Sequence, residues 1–371
     1  MIRQRRISKV GGVLAALHSS FLRPFSKTPS LRRPYSTTQT QLTPRLYTTG
    51  DPLESSARIF SPSLKEGEFS VLPASPVPPH VQKPEYATNP TGVPVLSWEP
   101  SPDGHVHSEV EVAKIRLAAK IAQKALRLAM RAARPGITGE QIDHLVHSYL
   151  CSEGCYPGGI NYYGFPKALC MSVNEVACHG IPSLRPLVSG DIVSFDVTLF
   201  RDGVYGDNCG TALVGEVDAV GRRLVETAER CVETAASIIR PGLPLNQVGE
   251  TIEEEAREAG FCVVRDLHGH FIGREMHLPP LVPSVGGYHR QDVRFKKGQT
   301  FTVEPMISEG NPKLKTWKDG WTLVTLDNGR VAQHEHMCLL HEDGVEILTR
   351  LSEEEEREIP FHLADSLQPP S

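Results

Sequence analysis

CMSVNEVACHGIPSLRPLVSGDIVSFDVTLFRDGVYGDNCGTALVG, residues 170–215, decides how the chain is read. Ile192, Val193, Phe195, Val197 and Leu199 alternate as a half-buried strand does, and Val204, Tyr205, Ala212, Leu213 and Val214 flank a second run. Between them Asp202-Gly203 is a two-residue hairpin signal, because both central positions of the favoured turn need positive φ. Folding the runs back on that turn sets Arg201 against Val204 and Asp196 against Cys209. Asp207 then falls two residues from that pair, on the face that carries Asp196. Such diagonal neighbours are about 7–8 Å apart at the backbone, within reach of a shared ion. Two carboxylates on one face of an apolar hairpin repel each other and resist burial unless a positive charge lies between them. The expectation is a metal site, with His179 in the loop just upstream as a further polar candidate.

Outward from this hairpin the chain shows an internal repeat. Ile115, Ala118, Ala119, Ala122, Leu126, Ala129 and Ala133 keep helical spacing from Val110 to Arg134, and Arg134-Pro135-Gly136 stops them. Thr138 and Gln141 form a capping box for the next helix, which runs to Gly154. The pattern returns 106 residues later: a helix over Leu224–Ile239, the stop Arg240-Pro241-Gly242, and an acidic helix ending at Gly260. Two helix pairs, each followed by β-structure, predict an α+β layer in which helices cover a shared antiparallel sheet.

The second half supplies the other polar residues. His268, His270 and His277 lie in HGHFIGREMH, a segment with Gly and a following Pro-Pro that reads as loop. Glu304 interrupts a β-rich run, and Glu335 sits inside another that begins at Val331. Asp196, Asp207, His270, Glu304 and Glu335 make four carboxylates and one imidazole in or beside apolar strands. They can share a core only with about two dications between them.

The flanks are different in kind. Residues 1–50 hold no Asp or Glu and are rich in Arg, Ser and Thr, which reads as an organelle transit peptide with cleavage after Tyr35. Losing residues 1–35, with their eight basic side chains, would take the formal charge from −5 to −13. Such an acidic body argues against nucleic acid as a partner. Residues 51–106 read as a proline-rich arm or linker, 107–351 as the folded domain that carries the clustered acids and histidines, and 352–371 as a tail. No run is apolar enough to span a bilayer. Eight cysteines without a Cys-x-x-Cys pair read as reduced, packed thiols.

HGIP around His179, FDVT around Asp196, GDN around Asp207, GH-x-IGREMH, VEPM around Glu304 and QHEH around Glu335 together resemble the type I methionine aminopeptidases, organellar branch. The resemblance runs from about His107 to Leu351 in motif order and spacing. It implies the pita-bread fold and removal of the N-terminal methionine, before a small second residue, by hydroxide attack from a dinuclear metal centre. It assigns Asp196 to one metal, Asp207 and Glu335 to both, and His270 and Glu304 to the second. It makes Glu304 the proton acceptor, His277 the oxyanion donor and His179 the partner of the scissile amide. Tyr162, Phe165, Cys170 and Trp321 would line the methionine pocket. The implied cofactors are two divalent ions among Co, Mn, Fe and Zn. The implied partners are peptide and protein N-termini, with association with the ribosome allowed and a monomer expected. The implied place is the mitochondrial matrix, with the plastid as alternative. Phe271, Asn208 and Leu278-Pro279 depart from the family pattern, and Phe271 beside a ligand is expected to narrow the cleft.

Overall fold

A computed structural model describes residues 64–96, 98–290 and 292–370. The expected transit peptide and its expected cleavage site lie outside the described residues. Helix α1 (Glu109–Ala132) opens on a capping box between Ser108 and Glu111. Helix α2 (Gly139–Ser152) opens on the one expected between Thr138 and Gln141. Strand β1 (Cys170–Val173) pairs with β2 (Ile192–Arg201), and β2 pairs with β3 (Val204–Leu213). The hairpin register is the expected one, with Arg201 on Val204 and Asp196 on Cys209. Asp202 and Gly203 both take positive φ, 50° and 84°.

Helices α3 (Ala219–Ile238) and α4 (Leu245–Glu258) repeat the first pair. The second helix of each pair begins at Gly139 or Leu245 and ends at Ser152 or Glu258, so both ends keep the offset of 106. The glycines after the helices, Gly136, Gly154, Gly242 and Gly260, all have positive φ. Each pair covers its own part of the core. Ile115, Leu126, Val146 and Leu150 pack with Val193, Val197 and Leu199, whereas Leu224, Val232, Val248 and Ile252 pack with Phe271, Phe301 and Leu340. A fully buried Leu or Ile contributes about 1.5–3 kcal/mol, so these stripes hold the helices down. The small residues of α1 let it approach β3 closely. A Cβ on Gly206 would stand 2.5 Å from the Ala118 backbone.

Strands β4 (Gly269–Phe271), β5 (Leu278–Val282) and β6 (Thr300–Val303) follow, then β7 (Met306–Ser308), β8 (Val331–Gln333), β9 (His336–Leu340) and β10 (Val345–Ile347). One sheet has the order β10-β9-β6-β4-β5. β7 and β8 pair with each other in a second sheet. Every strand pair among the described residues is antiparallel. HGHFIGREMH is therefore bracketed by strands and is not all loop. Pro279 and Pro280 fit within β5 because it is an edge strand, where a missing N–H costs no ladder bond.

Two flanking segments are more ordered than their composition suggests. The stretch 352–371, read as a tail, carries short helices α5 (Glu353–Arg357) and α6 (Phe361–Asp365). They lie along α1 through Lys124–Glu358 at 2.6 Å and Arg131–Asp365 at 2.7 Å, with Ala364 fully buried. From residue 64 the proline-rich arm lies against the body and buries Tyr86 and Val81. Side-chain and backbone contacts offset the poor periodicity that hides both segments in the sequence.

Candidate active site

The long strands break where the two sheets meet, and the acids sit in the breaks. Val303 pairs with His336 on one side and Met306 with Gln333 on the other. Glu304 and Glu335 fall in the two interruptions, opposite each other. The Glu335 amide donates to the Cys209 carbonyl at 2.9 Å, and Thr211 Oγ1 donates to the Gln333 carbonyl at 2.8 Å. That seam lays the second-half acids beside the β2–β3 hairpin.

Asp207, His270 and Glu335 bring donor atoms within 4.8 Å of one another, and all three are buried. His270 Nε2 lies 3.4 Å from Glu304 Oε1 and 3.6 Å from Asp207 Oδ2. Asp196 borders the group closely enough that Asp207 raises its pKa. Burial first, and the neighbouring carboxylates second, push Asp196, Glu304 and Glu335 well above the usual carboxylate range. Burial raises Asp207 to about 7, opposed by hydrogen bonds from Thr198 and the Asn208 amide.

Two details show that this donor set suits cations. Glu335 Oε1 is buried and has no hydrogen-bond partner among the described residues. His270 Nδ1 stands 3.2 Å from the Phe271 carbonyl, an oxygen that can only accept, so the ring proton belongs on Nδ1. The lone pair of Nε2 is then directed at two carboxylates, an arrangement that a divalent cation between them would turn from repulsion into ligation. Oxygen-rich ligation with one nitrogen suits Mn, Fe, Co or Zn.

Around the acids stand the remaining candidates. His277 meets His270 with ring centroids 4.3 Å apart, and its Nδ1 lies 2.7 Å from the Tyr162 hydroxyl. Burial, with His270 and His179 beside it, drives the His277 pKa well below 6.5, and burial takes His179 to about 4. Both imidazoles are neutral at pH 7. His179 faces Trp321 edge-on at 5.8 Å, and Trp321 meets Phe165 at 5.1 Å. Cys170 pairs with Asp196 across β1 and β2. All of the expected site residues are thus drawn to one region, while His268 is a core residue whose Nδ1 accepts the Ser284 amide.

Phe271 does not narrow the cleft. Its ring packs against Phe295 and Phe301, in the core covered by the second helix pair. Asn208 likewise turns from the acids, its amide donating to Gln123 of α1. Three supporting residues were given no role from the sequence, although Thr198 lies in FDVT and Gln333 in QHEH: Thr198 Oγ1 donates to Asp207 at 2.8 Å, Thr302 Oγ1 to Glu304 at 2.9 Å and Gln333 Nε2 to Glu304 at 3.3 Å. Thr302 and Gln333 each stand two residues before an acid, and for Thr302 that spacing was the only signal. A second cluster, His105, His107 and Glu111, lies apart from the cleft. Its carboxylate already accepts from the Ser108 cap and from Arg274, and we read it as structural.

An internally duplicated antiparallel fold with a buried four-carboxylate, one-imidazole cluster defines a metallohydrolase of the pita-bread type. Metallopeptidase family M24 matches residues 113–342. The mitochondrial methionine aminopeptidase 1D of Homo sapiens is 41% identical over 288 residues, 77% of this chain and 83% of its own. Methionine aminopeptidase 1A of Arabidopsis thaliana is 42% identical over 277 residues, 74% of this chain and 68% of its own. The crystal structure of methionine aminopeptidase from Rickettsia prowazekii superposes with a TM-score of 0.65 and 38% identity, over 67% of this chain and all of that one. The chain belongs to metallopeptidase family M24, among the type I methionine aminopeptidases of the organellar branch.

Proposed function

We propose that this chain removes the N-terminal methionine from proteins, with Asp196, Asp207, His270, Glu304 and Glu335 holding two divalent metal ions. The observation that carries the reading is that Asp207, His270 and Glu335, from both halves of the duplication, meet in one buried cluster with an unpartnered carboxylate oxygen, with Glu304 3.4 Å from His270 and Asp196 beside Asp207. Divalent metal bound there supplies Lewis acidity and lowers the pKa of water toward neutrality. Glu304, steadied by Thr302 and Gln333, accepts a proton from the attacking water. His277 is neutral, and with Tyr162 on Nδ1 its Nε2–H is free to donate to the oxygen of the scissile carbonyl as charge develops. His179 hydrogen-bonds the scissile amide. Phe165, Trp321, Cys170 and Tyr162 offer an aromatic and sulfur surface for a flexible thioether. The free α-amine of the substrate would ligate metal held by the cluster, which makes the enzyme an exopeptidase.

The domain plan continues this reading: a leader over residues 1–50 cut after Tyr35, the arm, and the catalytic body. The 41% identity to a mitochondrial relative and the acid-free leader support delivery to mitochondria, to the matrix. No helix among the described residues is long and apolar enough to cross a membrane. We take the enzyme to act as a monomer, with access to chains at the ribosome. Release of methionine from Met-Ala-Ser by the metal-loaded chain is the test. Cleavage of Xaa-Pro peptides with Met-Ala-Ser left intact would overturn the reading. Residues 1–50 fused to a fluorescent reporter should reach mitochondria, and a diffuse cytosolic or plastid signal would refute the targeting.

A further inference from the structure

The arm touches the catalytic residues through one chain of contacts. Tyr86, in the arm, is 1% exposed, and its hydroxyl donates to the Gly158 carbonyl at 2.6 Å. Its ring meets Tyr162 edge-on at 5.1 Å and Tyr156 at 6.3 Å. Tyr162 in turn stacks on His277 at 5.4 Å and bonds its Nδ1 at 2.7 Å. The turn that carries Tyr162 is an uncommon one. Asn161 and Tyr163 on either side have φ of 62° and 48°, a left-handed backbone that non-glycine residues keep only when their surroundings hold it. Those surroundings are the arm. Asn161 Nδ2 donates to the carbonyls of Tyr86 at 2.9 Å and Asn89 at 3.0 Å, and the Tyr163 amide donates to the Gly92 carbonyl at 2.8 Å. Gly92 approaches so closely that a Cβ there would lie 1.9 Å from the Asn161 carbonyl oxygen. The arm and the turn are therefore built against each other, and Tyr86, Asn89 and Gly92 all lie outside the 113–342 family match.

We propose that the proline-rich arm is part of the catalytic unit: Tyr86 and the Asn161 turn fix Tyr162, and Tyr162 fixes the orientation and tautomer of His277. Tyr86 is a positioning residue; it acts through Tyr162 and touches no substrate. A tyrosine hydroxyl donating to Nδ1 leaves the imidazole proton on Nε2, the nitrogen that faces away from Tyr162. Losing the Tyr86 ring lets Tyr162 shift, and a shift on the order of 1 Å at a donor that acts only in the transition state lowers kcat more than it raises KM. The inference rests on the His277 role proposed above.

Steady-state kinetics of the metal-loaded chain on Met-Ala-Ser test it. Tyr86→Leu should lower kcat about tenfold with KM within about twofold, and Tyr86→Phe, which keeps the ring edge, should recover to within about twofold of wild type. Tyr162→Phe should lose about tenfold in kcat, and the Tyr86→Leu/Tyr162→Phe double variant should be no worse than about the poorer single, because both act on one donor. Val95→Ser, on the exposed part of the arm, is the control and should match wild type. Losses that multiply to about a hundredfold in the double variant, or a Tyr86→Leu protein with a lower melting temperature and wild-type kcat, overturn the proposal. If Tyr86→Leu does not fold, Asn161→Gly decides: glycine accepts the φ of 62° and removes the bonds to the arm. A wild-type kcat in Asn161→Gly would also overturn it. If wild-type chain releases no methionine, the function itself is wrong; if His277→Ala is fully active, the donor role is wrong and this inference falls with it.

Discussion

The two halves of the duplication carry matching helix pairs but deliver their site residues in opposite ways. In the first half Asp196 and Asp207 ride on one hairpin whose ten-residue register runs unbroken from Ile192–Leu213 to Arg201–Val204. In the second half His270 sits at a register shift in a three-residue strand, and Glu304 and Glu335 occupy breaks between strands of different sheets. A local turn sets the geometry of the first pair; packing of distant segments sets that of the other three. The first half is thus a locally determined platform, and the second half packs onto it along the Cys209–Glu335 seam.

The largest expected effect breaks the platform. Asp207→Asn keeps the volume and removes a shared charge, and it should lower kcat on Met-Ala-Ser by about 10³-fold or more with far-UV circular dichroism unchanged. Near-normal activity in metal-replete protein would refute the shared-ligand assignment. His270→Ala removes one ligand from the half assembled at long range, so its activity should recover partly at high metal concentration. Next comes His277→Ala, which should lower kcat by about 10²–10³-fold, the effect of one lost oxyanion donor, with KM and metal content little changed. Loss of metal from His277→Ala, with metal retained in His270→Ala, would reverse the two roles.

Smaller effects probe stability. Gly206→Ala forces a methyl against the Ala118 backbone 2.5 Å away and should cost about 1–3 kcal/mol in urea unfolding. Wild-type stability would show that α1 can back away from the hairpin. The last concerns His107, buried under the second half, where burial first, then His105 and Arg274, lower its pKa to about 4 while Glu111 opposes them. Below pH 6.5 the unfolded chain takes up a proton that folded His107 refuses until about pH 4, so stability falls across that window as pH drops. His107→Gln should flatten that fall by about 1–2 kcal/mol at pH 5. An unchanged pH profile would contradict the burial account.

The same contrast explains what could be read from the chain alone. The hairpin, its register and the shared face of its acids follow from period-two alternation around Asp202-Gly203, which needs no partner segment. The helix pairs were legible because Arg-Pro-Gly stops and C-terminal glycines recur at one offset. The strand breaks at Glu304 and Glu335 were not, since only packing of two sheets shows where each strand changes partner. Phe271 misled for a related reason: adjacency to His270 suggested the cleft, yet its ring packs with Phe295 and Phe301, contacts that only the folded chain brings together. The order in the arm and in residues 352–370 was hidden because it depends on contacts such as Tyr86–Gly158 and Arg131–Asp365, which span 72 and 234 positions.

The central claim is that residues from both halves hold two metal ions together. Calorimetric titration of metal-stripped protein with Mn²⁺ or Co²⁺ tests it directly. Wild type should take up two equivalents, and Asp196→Asn and His270→Ala should each keep one tight site and weaken the other. A single equivalent in wild type, or variants that both titrate like wild type, would contradict the account.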